Sequence, residues 1–288
     1  MNLTNYDEIR ALLARHGFRF SKSLGQNFLI ADWVPRQIAE SAGLDENTGV
    51  LEIGPGLGCL TAELSRRAGK VVAVELDKSL KPVLAETLGE RENVEIVFAD
   101  VLKLDLAALA EEHFEGLRPV VCANLPYNVT TPVLTALLRA GCFESVTVMI
   151  QREVAKRICA PAGTADYGAF GIFVQWHTEP ELLFEVPPSC FVPQPKVTSA
   201  VIRLTRRETP PVAVSDEELF FKVVRAAFNQ RRKTLVNAVS AGLSLPKERV
   251  AAALQNAGFD TGIRGETLDI GGFAKLTDEL NRIPSADL

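Results

Sequence analysis

The residues best suited to chemistry stand in four short stretches, each at the end of an apolar run. The first is Glu52-Ile53-Gly54-Pro55-Gly56-Leu57-Gly58. Glycines at a strand-to-helix turn let the backbone approach a ligand closely. The dinucleotide pattern GxGxxG fails here, because Cys59 takes its last position and the third glycine falls one residue early, at Gly58. The second is Glu75, which closes the next apolar run. An acid there can accept hydrogen bonds from both hydroxyls of a ribose. The third is Asp100 with Val101: the carboxylate can accept from an adenine amino group and the Val101 N–H can donate to the ring. The fourth is Asn124-Leu125-Pro126-Tyr127.

Taken together, the first three form an adenosine pocket. An acid two residues before the first glycine marks the turn that holds the amino-acid part of S-adenosylmethionine, not a pyrophosphate. The fourth stretch points to the acceptor. The lone pair of an exocyclic amine is delocalised into its ring. An Asn side-chain oxygen and a backbone carbonyl can both accept from the amino hydrogens and turn that lone pair toward a methyl group. Pro126 stiffens the turn and Tyr127 offers a face for a base. With a sulfonium leaving group no strong general base is needed, so the contribution is positioning.

Elements with a strand–helix rhythm must place these residues. Strands are expected at 50–53, 71–76, 94–98, 120–123 and 146–150. Helices are expected at 59–68, 81–88, 106–112 and 132–140, with another beginning near 153. Continuous apolar strands between helices imply a parallel sheet covered on both faces. Runs at 184–186 and 197–204 lack an intervening helix and predict an antiparallel edge hairpin. Before the sheet, 5–16 and 33–42 are expected as helices, flanking a basic irregular segment. After it, Pro210 and Pro211 mark a linker, and 216–240, 247–257 and 272–280 are helical. The expected architecture is therefore α/β: a Rossmann-like, S-adenosylmethionine-dependent methyltransferase domain over 1–208, of which 1–48 lead in, and a small all-helical domain over 209–288.

The 288 residues, 47% hydrophobic and 23% charged, suit a globular protein with a sizeable core. No apolar run has the roughly 18 residues of a membrane span, and no secretory leader is evident. A cytoplasmic protein is expected. Five cysteines, with no CxxC, read as reduced buried thiols, and the three histidines are too scattered for a metal site. The net charge of -5 speaks against a nucleic-acid partner, but phosphates respond to local charge. Basic clusters include Arg15, Arg19 and Lys22; Lys196, Arg203, Arg206 and Arg207; and Lys222, Arg225, Arg231, Arg232 and Lys233. On a continuous helix Lys222, Arg225, Asn229 and Arg232 would share a face.

With these motifs the chain resembles the ribosomal RNA adenine N6,N6-dimethyltransferase family over nearly its whole length. The resemblance includes Lys22-Ser23-Leu24-Gly25-Gln26-Asn27-Phe28-Leu29, Gln151-Arg152-Glu153-Val154-Ala155, Phe191-Val192-Pro193-Gln194-Pro195-Lys196-Val197, and Ala227-Phe228-Asn229-Gln230-Arg231-Arg232-Lys233-Thr234-Leu235. It implies that Asn27 and Leu29 reach the cofactor from the leading segment. Gly54, Gly56, Glu75, Leu76, Asp100, Val101 and Asn124 would line its pocket. Asn124, Leu125, Pro126, Tyr127 and Phe191 would hold the target, with Tyr127 and Phe191 sandwiching a flipped adenine. Lys22, Lys196, Lys222, Arg225, Arg231, Arg232 and Lys233 would meet 16S ribosomal RNA within the 30S subunit, the protein acting as a monomer. The target would be two adjacent adenines in the 3′-terminal hairpin. Alternatives are a large-subunit adenine methyltransferase of the resistance type, an assembly factor that binds without methylating, and an NAD-dependent dehydrogenase, which Cys59 disfavours.

Overall fold

The computed structural model describes residues 3–18 and 26–283. In chain order the elements are α1 (Tyr6–Arg15), β1 (Phe28–Leu29), α2 (Trp33–Ser41), β2 (Thr48–Ile53), α3 (Cys59–Leu64), β3 (Lys70–Glu75), α4 (Lys81–Leu88), β4 (Val94–Phe98), α5 (Leu106–His113), β5 (Arg118–Asn124), α6 (Thr130–Ala140), β6 (Ser145–Gln151) and α7 (Arg152–Cys159). They continue with α8 (Ala169–His177), β7 (Thr178–Val186), β8 (Phe191–Val192), β9 (Ser199–Arg206), α9 (Glu217–Asn229), α10 (Leu235–Leu243), α11 (Lys247–Asn256) and α12 (Ile270–Arg282). Several helix starts are written locally. Asn5 caps α1 by accepting from the Asp7 and Glu8 N–H groups, and Asp105 does the same for α5.

The chain divides into two compact units, Met1–Ala155 with Pro180–Arg206, and Lys156–Glu179 with Arg207–Leu288. In the first, the sheet order is β4-β3-β2-β5-β6-β9-β7. Pairing is parallel from β4 through β6, and β9 runs antiparallel to β6. The mixed sheet with its antiparallel edge matches the expectation. Every residue of β2 is buried, as a strand covered on both faces requires. One apolar cluster gathers Val34, Ile38, Val50, Leu60, Val71 and Val120. A second joins Ile9 and Leu12 of α1 to Leu80 and to Val83 and Leu88 of α4. The chain steps from β2 outward through β3 and β4, then returns to β5 on the other side of β2. Ligands in open α/β sheets bind at such a reversal, outside the carboxyl ends of the strands.

The second unit is helical. Tyr167, Ile172 and Trp176 share its core with Phe220, Val224, Leu254 and Phe273. A single boundary at 208 therefore does not describe the chain, because Lys156–Glu179 belong to the helical unit through these apolar side chains. The expected helix 216–240 is also two helices. Gln230 leaves helical geometry, and Thr234 starts α10 by accepting from the Asn237 N–H. Arg232 thus lies in the turn after α9 and does not share its face with Lys222 and Arg225.

Candidate active site

One cleft gathers the four stretches. Its lining includes Asn27, Leu29, Gly54, Gly56, Glu75, Leu76, Asp100, Val101, Asn124, Leu125, Pro126, Tyr127 and Phe191. It encloses about 1210 Å³ of space, open mouth included.

The floor is the glycine turn after β2. Gly54 and Gly56 have φ of +71° and +58°, where L side chains are strained. A Cβ on Gly56 would also sit 3.2 Å from the Phe28 ring. Glu75, at the carboxyl end of β3, is 6% exposed. Its Oε1 accepts from the Asp77 N–H at 2.8 Å and its Oε2 from the Gly56 N–H at 3.4 Å. Each carboxylate oxygen can accept again, so the pair is aimed but not used up. Burial raises the Glu75 carboxyl above its ordinary value. Asp100 caps a short 3-10 turn, with Oδ1 accepting from Leu102 N–H at 3.1 Å. Among the described residues its Oδ2 meets only Lys103 Nζ, at 3.9 Å. Leu76 and Leu102 stand exposed beside these acids and give the cleft apolar surface for a flat ring.

Asn124 ends β5, in register with Met149 of β6. Leu125 extends the ladder by one bond, its N–H donating to the Met149 carbonyl at 3.1 Å. The Pro126 carbonyl then accepts from Val129 N–H and from the Thr130 hydroxyl. The turn is therefore built by the chain, while no side-chain hydrogen bond ties Asn124 to another described residue. Tyr127 is half-buried, its hydroxyl 2.7 Å from Ser199 Oγ on β9. Burial raises its phenol, so it stays protonated.

A two-strand ladder closes the opposite wall. Phe28 pairs with Val192 and Leu29 with Phe191, and the Ile30 N–H donates to the Cys190 carbonyl at 2.8 Å. This brings Asn27, Leu29 and Phe191 together. Phe191 lines the cleft but is 2% exposed, packed in the cluster of Leu29 and Val34. Gln26 Nε2 donates to Asp77 Oδ2 at 2.8 Å, joining the leading segment to the end of β3. Sequence reasoning missed this ladder, since two-residue strands have no periodicity. It also passed over Ser199 and Phe28, and gave Glu52 no site role although Glu52 opens the first motif.

Among the described residues no histidine, lysine or arginine lines the cleft, and burial pushes the Cys59 thiol up to about 12. A thiol so held is no nucleophile. The arrangement is suited to holding and orienting a ligand.

The basic residues separate into classes. Lys22 lies outside the described residues. Lys196, Arg225, Arg232 and Lys233 are exposed and make no ion pair among the described residues. Lys222 pairs with Glu218 at 2.7 Å. Arg231 is engaged by the chain itself: its guanidinium donates to the Ala165 and Tyr167 carbonyls at 2.7 and 3.0 Å and lies 6.0 Å over the Phe228 ring. Among the described residues, no helix is long and apolar enough to cross a membrane, and no acidic, His or Cys cluster could hold a metal ion.

A family model described as ribosomal RNA adenine dimethylase matches residues 17–281. Ribosomal RNA small subunit methyltransferase A of Geobacillus thermodenitrificans is 52% identical over 276 residues, 94% of each chain. The protein of that name from Clostridium perfringens is 47% identical over 285 residues, 98% of this chain and 99% of the relative. Among solved structures, the 23S rRNA methyltransferase ErmE aligns with a TM-score of 0.66 at 29% identity, over 88% of this chain and all of that one. A dimethyladenosine transferase from Plasmodium falciparum shares the fold, with a TM-score of 0.70 at 24% identity over 86% of this chain and 95% of its own.

Proposed function

Because the chain belongs to the ribosomal RNA adenine dimethylase family, we propose that it methylates N6 of two adjacent adenines in the 3′-terminal hairpin of 16S ribosomal RNA. The products are N6,N6-dimethyladenosines, made during late 30S assembly by a monomeric enzyme. The observation that carries this reading is the convergence of Glu75, Asp100, Asn124 and Tyr127 on one cleft.

S-adenosylmethionine supplies an electrophilic methyl on a sulfonium that leaves as a neutral thioether. The donor set fits it. Glu75 offers both oxygens to the ribose hydroxyls, and Asp100 offers Oδ2 to the adenine amino group. Gly54 and Gly56 let the backbone come close to the amino-acid moiety, and Asn27, Leu29, Leu76 and Val101 complete the walls. Asn124 and the backbone of its turn accept from the two hydrogens of the target amine and direct its lone pair. Tyr127, held at its hydroxyl by Ser199, stacks on the base, with Phe191 behind it; a stacked base gains about 1–3 kcal/mol. The proton lost by the amine passes to solvent. Of the expected RNA contacts, Arg225, Arg232, Lys233 and Lys196 are exposed and make no ion pair among the described residues, so they can meet phosphates, with Lys222 available once Glu218 yields it.

The likeness to ErmE supports a second reading, large-subunit RNA as substrate. Methyl transfer from labelled cofactor to unmethylated small subunits, large subunits and naked RNA separates the two. Dimethyladenosine in small subunits only, reduced about 100-fold or more in Asn124→Ala as misplaced reactants require, is the expected result. Label in large subunits would move the enzyme to the second reading, and binding to small subunits without label would leave an assembly factor.

A further inference from the structure

Glu52 has no task in the chemistry described so far. It lies on β2 just before the glycine turn, is 1% exposed and lines the cleft. Its Oε2 has no hydrogen-bond partner among the described residues. Every titratable group facing it is acidic or a thiol: Glu75 at the end of β3, Cys59 on α3 and Cys122 on β5. The Thr61 hydroxyl on α3 holds the rise in the Glu52 pKa down without reaching regular hydrogen-bond geometry. Among the described residues no cation compensates the site. Burial, against that hydroxyl and with the Glu75 charge adding, pushes the Glu52 carboxyl up to about 8. In the free protein at neutral pH it therefore holds its proton.

A buried acceptor with no partner among the described residues lines a cleft whose ligand carries a sulfonium before the reaction and a neutral thioether after it. We infer that Glu52 is the charge-selecting residue of the cofactor site, neutral in the free protein, ionised against the sulfonium form, and neutral again beside the thioether product. Only an O–H bond breaks and reforms: the proton goes to solvent when the sulfonium nucleoside enters and returns from solvent after methyl transfer. An uncompensated buried carboxylate favours a cation over a neutral isostere, so the site prefers S-adenosylmethionine to S-adenosylhomocysteine and does not retain its product. The inference rests on this cleft being the cofactor site.

Titration calorimetry of the full chain tests it, with each nucleoside in two buffers of different ionisation enthalpy. Both ligands carry the same α-ammonium and carboxylate, so any difference between them reports the sulfur charge. The sulfonium form is expected to release up to about one more proton than the thioether at pH 7. The ratio of the two Kd values is expected to rise about tenfold per pH unit from pH 6 to 7 and to level off above pH 8. In Glu52→Gln both the excess proton and the pH dependence of the ratio are expected to vanish. Equal proton release by the two nucleosides, or an unchanged pH-dependent ratio in Glu52→Gln, would overturn the role of Glu52 and leave the cleft as the cofactor site. Binding of neither nucleoside to the wild-type chain would overturn the cleft assignment itself.

Discussion

The cleft of the first unit and the turn after α9 in the second use charge in opposite ways. In the cleft, Glu52 and Glu75 are 1% and 6% exposed, so desolvation dominates and each carboxylate counts singly. After α9, Arg232 and Lys233 stand in solvent. A single exposed charge there contributes little, and affinity for phosphates comes from the number of cations. Arg231 shares that run yet donates to two backbone carbonyls. Neighbours in sequence thus divide between holding the fold and facing outward.

The largest expected effect is on stability against pH. A Glu52 carboxyl at about 8 in the folded chain, against 4.5 as the ordinary value, keeps a proton that the unfolded chain has released. Its stabilising contribution is intact below pH 4.5, falls as pH rises through that window, and is lost above about 8. The change amounts to about 5 kcal/mol. Denaturant unfolding of wild type and Glu52→Gln is expected to give similar free energies near pH 4.5 and a Gln variant increasingly favoured toward pH 8.5. Parallel curves would mean that the buried acid is compensated.

Glu75→Ala is expected to weaken cofactor binding by about 1.5–3 kcal/mol, the worth of hydrogen bonds to a charged group. Unchanged affinity by calorimetry would remove Glu75 from the ribose. The smallest effects test the division after α9. Arg231→Ala is expected to lower unfolding free energy by about 1–2 kcal/mol, because two carbonyls lose a charged donor. Reversing Arg232 and Lys233 to Glu is expected to change stability by less than about 0.5 kcal/mol while weakening small-subunit binding and flattening its salt dependence. If the stability loss followed Arg232 and Lys233 instead, the assignment of Arg231 to the fold would fail.

Much of the cleft was legible because its residues sit at the ends of periodic elements. Glu75 and Asn124 close apolar runs that read as strands, and Asp100 follows another, so parallel pairing alone brings all three to one edge. The positive φ of Gly54 and Gly56 is the reason glycine stands there, and it is visible as a motif. The leading segment and Phe191 came only through resemblance, because Phe28↔Val192 and Leu29↔Phe191 join residues far apart in sequence by a ladder too short to leave a pattern.

Local chemistry, carried by patterning, turn residues and caps, determined the α/β order and the acids at the rim of the cleft. The reversal of strand order that opens the cleft, which unit receives Lys156–Glu179, where the helix after Asp216 breaks, which arginine serves the backbone, and that Glu52 sits without a partner were decided only in three dimensions. Each depends on burial and on partners distant in the chain, and a residue's own type carries no record of the neighbours that will take its water away.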